Sequence, residues 1–584
     1  MRKELPKNSA DSPHVCVIGS GPAGMVLALE LAGHDCDVTM VESGMHVPDR
    51  TAQGLSDAVF GVSGTHALME DAVHRRWGGT SHLWGGRCVP YDRADLDIRN
   101  EGLQPAWPLS FDDLAINFGK ACLYADCGTP QFSLNDIYPD GAFPRISEGF
   151  VDGDIRSDQL ERWSASPVMI ERLGREIRKN PRIRVLTGMT CTGVATRDGG
   201  SAITAINLQA TSSNVKRQPD PVEADLFVIA CGGVESTRLL LHFVRQRDPP
   251  KVDGRSFLGR GYMGHLFGNI ASIRLRGDPA KTVFGFERVK NHYVRRRFTL
   301  SDRVRHAKGL LNIAFSLDNP RASDPAHGSG ILSAAYMAMR SPILGSRLAP
   351  AGIRKALIKA ERPGAARLHL RNIARSLPAT AWFAARFLYA RYWGKPPRLP
   401  GFFIHSASNC YALYYHAEQS PSDASRIELD DSVDPLGMPR AKLSLQFATD
   451  DAASVVRSHE VLDAHLRHHR LGELEYWYPE NERVDAVLRQ ATDGFHQIGT
   501  TRMAQGPQHG VTDSYGRVFG TRNLFVCSSS VFPTSGQANP TFTLLAFAIR
   551  QAAFVARSLR ERSKPVDISE PAEMRSRREM EALK

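Results

Sequence analysis

Apolar positions near the start of the chain fall into short blocks separated by turn-forming residues. The β-branched run Val15-Cys16-Val17-Ile18 predicts a strand, Gly19-Ser20-Gly21-Pro22-Ala23-Gly24 breaks it, and Met25-Val26-Leu27-Ala28-Leu29-Glu30-Leu31 continues as an apolar, helix-favouring run. A second strand is predicted over Asp37-Val38-Thr39-Met40-Val41, ending at Glu42. Residues 225–240, DLFVIACGGVESTRLL, repeat the order of strand, glycine turn and helix far downstream. Between the two copies, RRWGGTSHLWGGRCVPYD at 75–92 reads as a loop. Its Gly78, Gly79, Gly85 and Gly86 let backbone lie flat against a planar ligand.

Strand, glycine turn and helix are the context that a dinucleotide fingerprint requires. Gly19 permits the tight turn, Gly21 lets backbone approach a pyrophosphate at the helix N-terminus, and Gly24 allows the helix to sit close to the strand. The Glu42 carboxylate is placed to accept hydrogen bonds from ribose hydroxyls. It would repel the extra phosphate of NADP, which leaves NAD and FAD open.

A second constellation lies near the C-terminus, where FHQIGT at 495–500 precedes PTSGQANPT at 533–541. An imidazole, His496, and a carboxamide, Asn539, each on a glycine-containing turn, can grip one substrate hydroxyl: one takes its proton and the other fixes its lone pair. That is alcohol oxidation without a metal, and no metal-ligand set is read from the sequence.

At 584 residues the chain is long enough for two domains or one large discontinuous one. Its nine cysteines are odd in number, include no Cys-x-x-Cys pair and mostly sit in apolar strand contexts, so they read as core thiols. No apolar stretch precedes the first strand and no run approaches eighteen apolar residues, so neither a signal peptide nor a membrane span is expected. These features predict a soluble, cytoplasmic enzyme. The net charge of +11 is concentrated in residues 340–398, which hold thirteen Lys or Arg against one acid, Glu361. Trp382, Phe383, Phe387, Tyr389, Tyr392 and Trp393 are interleaved with them. Such a segment fits an anionic membrane surface, a subunit contact or a solvated helical insert, and no nucleic-acid module accompanies it.

With these blocks in hand, the chain resembles the glucose-methanol-choline (GMC) family of flavoenzymes. The matching motifs are GSGPAG at 19–24, GGTSHLWGG at 78–86, VIACGGVEST at 228–237, HQIGTTRM at 496–503, and DSYGRVFGTRNLFV with SSSVFPTSGQANPTFT at 513–543. The resemblance implies FAD rather than NAD. Expected cofactor contacts are Gly19, Gly21, Pro22, Ala23, Gly24, Glu42, Gly78, Gly79, Ser81, His82, Val194, Cys231, Gly232, Ser528, Ser529, Asn539, Pro540 and Thr541. It also makes His496 the base and Asn539 its partner, with hydride passing from the carbinol carbon to flavin N5. The pair is similar to that of pyranose oxidase-like sugar oxidoreductases, whereas many relatives carry a second His in place of Asn539.

Two positions depart from the family pattern. Some relatives attach FAD covalently through a His in the glycine loop; here Leu83 takes that place and His82 falls one residue early, so non-covalent FAD is expected. Ser528 stands where many relatives have an acid near the ribityl chain. His82 and His265 are expected to be structural members of the flavin pocket.

The implied fold is α/β: a discontinuous Rossmann-like FAD-binding domain from 12–100, 184–270 and 494–560, plus a substrate domain from 101–183 and 271–493 with a β-sheet flanked by helices. Residues 340–398 form a basic, aromatic-rich insertion in it, and 561–584 a charged tail. The expected activity is oxidation of a small-molecule alcohol, foremost a sugar or glycoside hydroxyl, with electrons passing to an external acceptor or oxygen. The alternatives are a GMC-fold lyase using the His as acid or base without net redox, and a flavoprotein peripheral to the inner face of the membrane that acts on a lipid-linked alcohol.

Overall fold

The computed structural model describes residues 12–97, 105–141, 143, 145–211, 219–320, 322–341, 343–345, 365–390, 399–406 and 408–563. Of the expected tail 561–584, the first three residues continue the helix Pro540–Ser563 and 564–584 lie outside the described residues, as do residues 342, 346–364 and 391–398 of the basic insertion.

A five-stranded parallel sheet runs in the order Leu524–Val526, Leu226–Ile229, His14–Ile18, Asp37–Glu42, Ile183–Thr187. Its strands read as unbroken apolar runs because helices cover both faces; all four residues of Leu226–Ile229 and all six of Asp37–Glu42 are buried. The helices Pro22–Gly33 and Pro540–Ser563 pack against each other beside this sheet. Pro540–Glu561 is the one stretch among the described residues long and apolar enough by composition to cross a membrane, and 67% of that apolar window is buried in this core. All nine cysteines are free, seven of them buried, with Cys231 and Cys410 partly exposed.

A second, antiparallel sheet runs Gly472–Tyr476, His265–Leu275, Cys410–Glu418, Ile313–Asp318, His292–Leu300, Ile155–Trp163, Arg87–Cys88. Successive side chains alternate faces. Ile270, Phe298, Phe315, Leu413 and Tyr415 pack on the helix Thr449–His468, through Val455, Leu462 and Leu466. Their sequence neighbours Asn269, Ser316, Tyr414 and His416 line a cavity instead. One face is therefore core and the other a polar wall.

Residues 107–132 and 169–177 fall within the expected substrate half, yet Trp107, Phe118, Cys122, Phe132, Leu173 and Ile177 share one hydrophobic core with the parallel sheet. The helices Phe111–Ala115, Phe118–Ala125 and Met169–Lys179 are amphipathic covers for Pro22–Gly33 and Pro540–Ser563.

Candidate active site

A cavity of ≈ 1450 Å³ lies between the carboxyl ends of the parallel strands and the polar wall of the antiparallel sheet. Small-molecule pockets usually hold about 300–1,000 Å³, so this one has room for a dinucleotide and a second molecule. Four of the five parallel strands deliver residues at or just beyond their carboxyl ends to the rim: Gly19 and Ser20 after Ile18, Glu42 at the end of its own strand, Ala230 and Cys231 after Ile229, and Cys527 and Ser528 after Val526. That is where open α/β sheets bind ligands.

The nucleotide end fits a pyrophosphate. Gly19 has φ +107°, and a Cβ there would sit 2.5 Å from the Ala230 carbonyl oxygen, so only glycine makes this turn. Gly21, Pro22 and Ala23 line the cavity at the N-terminus of Pro22–Gly33, which no side chain caps, and a Cβ on Gly21 would meet nothing within 4 Å. Free N–H groups and the positive end of the helix dipole thus meet open space. Glu42 is buried at the end of its strand; its carboxylate accepts from Ser20 N and Oγ (3.1 and 2.6 Å) and from Gly44 N (2.8 Å). Burial raises its pKa, against the lowering effect of those hydrogen bonds and of Arg75. Two oxygens offer about four acceptor positions, which leaves capacity for one more donor.

Gly79, Cys231, Gly232, Ser528, Ser529, Asn539, Pro540 and Thr541 also line the cavity, whereas Gly24, Gly78, Ser81, His82 and Val194 do not. Each exception has a local cause. Gly24 presses on the strand, where an added Cβ would lie 2.1 Å from the Gly19 carbonyl oxygen. Gly78 donates its N–H to Ser20 Oγ, and Ser81 Oγ donates back to the Gly78 carbonyl. The His82 ring donates from Nε2 to the Trp77 carbonyl (3.0 Å), while Leu83 lines the cavity. Val194 is buried in the core beyond a bulge in its strand, and Met189, Thr190 and Cys191 reach the cavity in its place.

At the far end, His496 and Asn539 meet. Asp493 is fully buried and accepts four N–H bonds: from the backbone of Phe495 (2.9 Å), His496 (3.2 Å) and His265 (2.7 Å), and from His496 Nδ1 (2.9 Å). Burial works to raise its pKa, but His496, His265 and these bonds leave it below the ordinary value, so it is an anion. With Nδ1–H given to Asp493, His496 Nε2 carries the lone pair, and it accepts from Asn539 Nδ2 at 2.8 Å. Asn539 is held in that sense because its Oδ1 accepts from Arg87 Nη1 (2.9 Å), while Arg87 Nε donates to Glu161 (2.5 Å). The chain Asp493, His496, Asn539, Arg87, Glu161 fixes every donor and acceptor in turn.

Two more imidazoles complete this end. The His265 ring lies 4.7 Å from that of His496 and 4.4 Å from that of His416. Burial, with His496 next, pulls the His265 pKa down to about 3, and burial with His265 holds His416 well below its ordinary value. Both are neutral at physiological pH. The sequence supplied His265 only as a structural member, and Asp493, Arg87, Glu161 and His416 not at all. Asp493 stands three residues before His496 and Arg87 inside the quoted glycine loop, so proximity to a motif was the available signal.

Comparison with known proteins places these features in a family context. The family model described as GMC oxidoreductase matches residues 421–548. The 6'''-hydroxyparomomycin C oxidase of Streptomyces lividus is 34% identical over 93% of this chain and 91% of its own. The 2-methyl-1,2-propanediol dehydrogenase of Mycolicibacterium austroafricanum is 23% identical over 94% and 96%. A C-glycoside 3-oxidase of Arthrobacter globiformis is 32% identical over 23% of this chain and 24% of its own. Among solved structures, formate oxidase superposes with a TM-score of 0.50 at 16% identity, covering 95% of this chain and 100% of that one, a likeness of fold.

Proposed function

The chain belongs to the GMC oxidoreductase family, and from that membership we propose that it oxidises a sugar or glycoside hydroxyl, with His496 as proton acceptor and Asn539 as the group that orients the reacting oxygen. It is an FAD-dependent oxidoreductase acting on CH–OH groups. Gly19, Gly21, Pro22, Ala23 and Glu42 would hold the nucleotide end of FAD, and Cys231, Gly232, Ser528, Ser529, Pro540 and Thr541 the rest. Bound FAD supplies the hydride acceptor; the protein supplies position and a proton sink.

An entering hydroxyl replaces Asn539 as the donor to His496 Nε2 and accepts from the Asn539 amide in return. Two contacts to one oxygen set its direction. Asp493 keeps the lone pair on Nε2 and stabilises the imidazolium once the proton has moved. The N-terminus of Pro540–Ser563 opens at the same place and favours negative charge there.

A sugar is favoured over an apolar alcohol by the wall opposite. Asn269, Arg295, Ser316, Asp318 and Tyr414 present polar groups to the cavity, and the buried Asn269 Nδ2, Arg295 Nε and Glu161 Oε1 make no hydrogen bond within the protein, Glu161 Oε1 having only the Arg295 guanidinium at 3.7 Å. A polyhydroxylated ligand satisfies such atoms where a hydrocarbon leaves them orphaned. Two relatives are named as oxidases of 6'''-hydroxyparomomycin C and of C-glycosides. We take FAD to be non-covalent, since Leu83 rather than an imidazole lines the cavity from the glycine loop.

A second reading concerns the described part of the basic insertion. The helices Ala365–Arg375 and Leu377–Leu388 turn His369, Asn372 and Thr380 inward and expose Leu370, Leu377, Trp382 and Tyr389 beside Arg367, Arg371, Arg375 and Arg386. Apolar side chains among cations, with no acid in 365–390, suit an anionic membrane. Flotation with anionic liposomes at low salt tests it, and protein left in the bottom fraction removes it.

The observation that carries the main reading is the fixed order of donors from Asp493 to Glu161. Anaerobic flavin bleaching across sugars, glycosides, polyols and aliphatic alcohols tests it. The sugars should bleach fastest, and His496→Ala should retain FAD yet bleach roughly 10²–10⁴-fold more slowly. Turnover of a substrate without bleaching would instead mark a lyase.

A further inference from the structure

His265, His416 and His496 come from three separated strands and loops, yet one nitrogen of each lies within 4.8 Å of one from both others. Their outer nitrogens are all engaged. His265 Nε2 donates to the Ser535 carbonyl (3.2 Å), His416 Nδ1 to the Gln537 carbonyl (2.7 Å), and His496 Nδ1 to Asp493 (2.9 Å). Each ring therefore turns its remaining lone pair away from those anchors: Nδ1 of His265, Nε2 of His416 and Nε2 of His496. Imidazoles that ligate a metal are tied down in this way, by carbonyls and carboxylates on the far nitrogen. The His265 side chain is fully buried, and its Nδ1 has no hydrogen-bond partner. Its nearest charge is Asp493 Oδ2 at 3.8 Å, an anion well placed beside a cation.

We propose that His265, His416 and His496 form a binding site for a divalent transition-metal ion, zinc by ligand type, and that ion and alcohol substrate exclude one another there. Three imidazoles with a fourth position open to a cavity suit zinc, cobalt or copper better than magnesium or calcium. Three atoms all within 4.8 Å of one another leave a central point no more than roughly 2.8 Å from each, and zinc–imidazole bonds of about 2.0–2.1 Å call for inward shifts of under about 1 Å. The ion takes the His496 Nε2 lone pair, which now accepts from Asn539, so the base cannot also receive a hydroxyl proton. Arg87, whose guanidinium reaches Asn539, opposes the added charge and keeps the affinity below that of a structural zinc site.

The exclusion clause rests on the function proposed above; the binding clause does not. Holoenzyme dialysed against Zn2+ and, separately, Co2+ should retain one ion per chain, and the cobalt form should show the visible d–d absorption of a four-coordinate site. His265→Phe and His416→Phe, each checked for bound FAD, should both lose that ion. Two variants are used so that a folding failure in one leaves the other decisive. Wild type retaining no ion, or either FAD-loaded variant retaining it undiminished, overturns the site. In turnover assays Zn2+ should raise KM for the alcohol with kcat unchanged; an unchanged KM overturns the exclusion. An enzyme that binds one zinc ion but oxidises no alcohol keeps the site and removes the function.

Discussion

His496 Nε2 accepts a hydrogen bond from Asn539 Nδ2 at 2.8 Å, although the two residues enter the cavity from different loops forty-three positions apart. The direction of that bond follows from its neighbours: Asp493 takes the other imidazole proton, and Arg87 takes the amide oxygen. Substituting Asn539→Asp reverses the logic, because a carboxylate cannot donate to Nε2 and instead favours a proton there. The rate of flavin reduction per bound FAD should fall by roughly 10²-fold or more. A rate within a few-fold of wild type refutes the donor assignment.

Asp493→Asn tests the other side of the ring. With the amide oxygen on the backbone N–H groups of Phe495 and His496, its NH₂ faces Nδ1 and gives up the bond from the His265 N–H, and the imidazole must shift its proton to Nε2. The lone pair then points away from the substrate. Flavin reduction per bound FAD should slow by roughly 10²–10⁴-fold, with FAD content preserved. A rate within a few-fold of wild type would show that the tautomer is not set here.

The nucleotide half was legible because a parallel sheet buried on both faces writes itself as unbroken apolar runs, punctuated by glycines that no other residue can replace. Gly19 and Glu42 needed no tertiary information. The polar wall was not legible, since Asn269, Tyr414 and His416 alternate with core residues on antiparallel strands. A polar side chain on such a strand reads the same whether it meets bulk water or a cavity. Val194 failed for a related reason: a bulge between Cys191 and Gly193 shifts the register, which no pattern of residue types announced.

Gly19→Ala should separate folding from cofactor retention. The new Cβ meets the Ala230 carbonyl oxygen at 2.5 Å, and φ +107° strains any L side chain by about 1–3 kcal/mol. The turn must open, moving Gly21 and the helix N-terminus together. Purified variant should carry well under half the FAD per chain of wild type while keeping its far-ultraviolet circular dichroism; full flavin content would refute the tight-turn role.

Stability should depend on pH through Asp95, which lies with Glu418 and Arg305 beside a smaller cavity of ≈ 290 Å³. Burial, reinforced by Asp92, raises the Asp95 pKa to about 8 against the opposing pull of Arg305. The folded chain thus keeps a proton that the unfolded chain releases near pH 4. Below pH 4 both states hold it and the group costs nothing. As pH rises from 4 to 8 the unfolded state gains alone, and stability falls by about 1.4 kcal/mol per unit until the folded carboxyl also ionises. Asp95→Asn removes that titration. The difference in unfolding free energy, variant minus wild type, should therefore climb from pH 5 to pH 8 in chemical denaturation, whatever its offset at pH 5. A flat difference across that window would mean that Asp95 is already ionised in the folded protein, held by Arg305 and by the Asn312 amide, which donates to it at 2.7 Å.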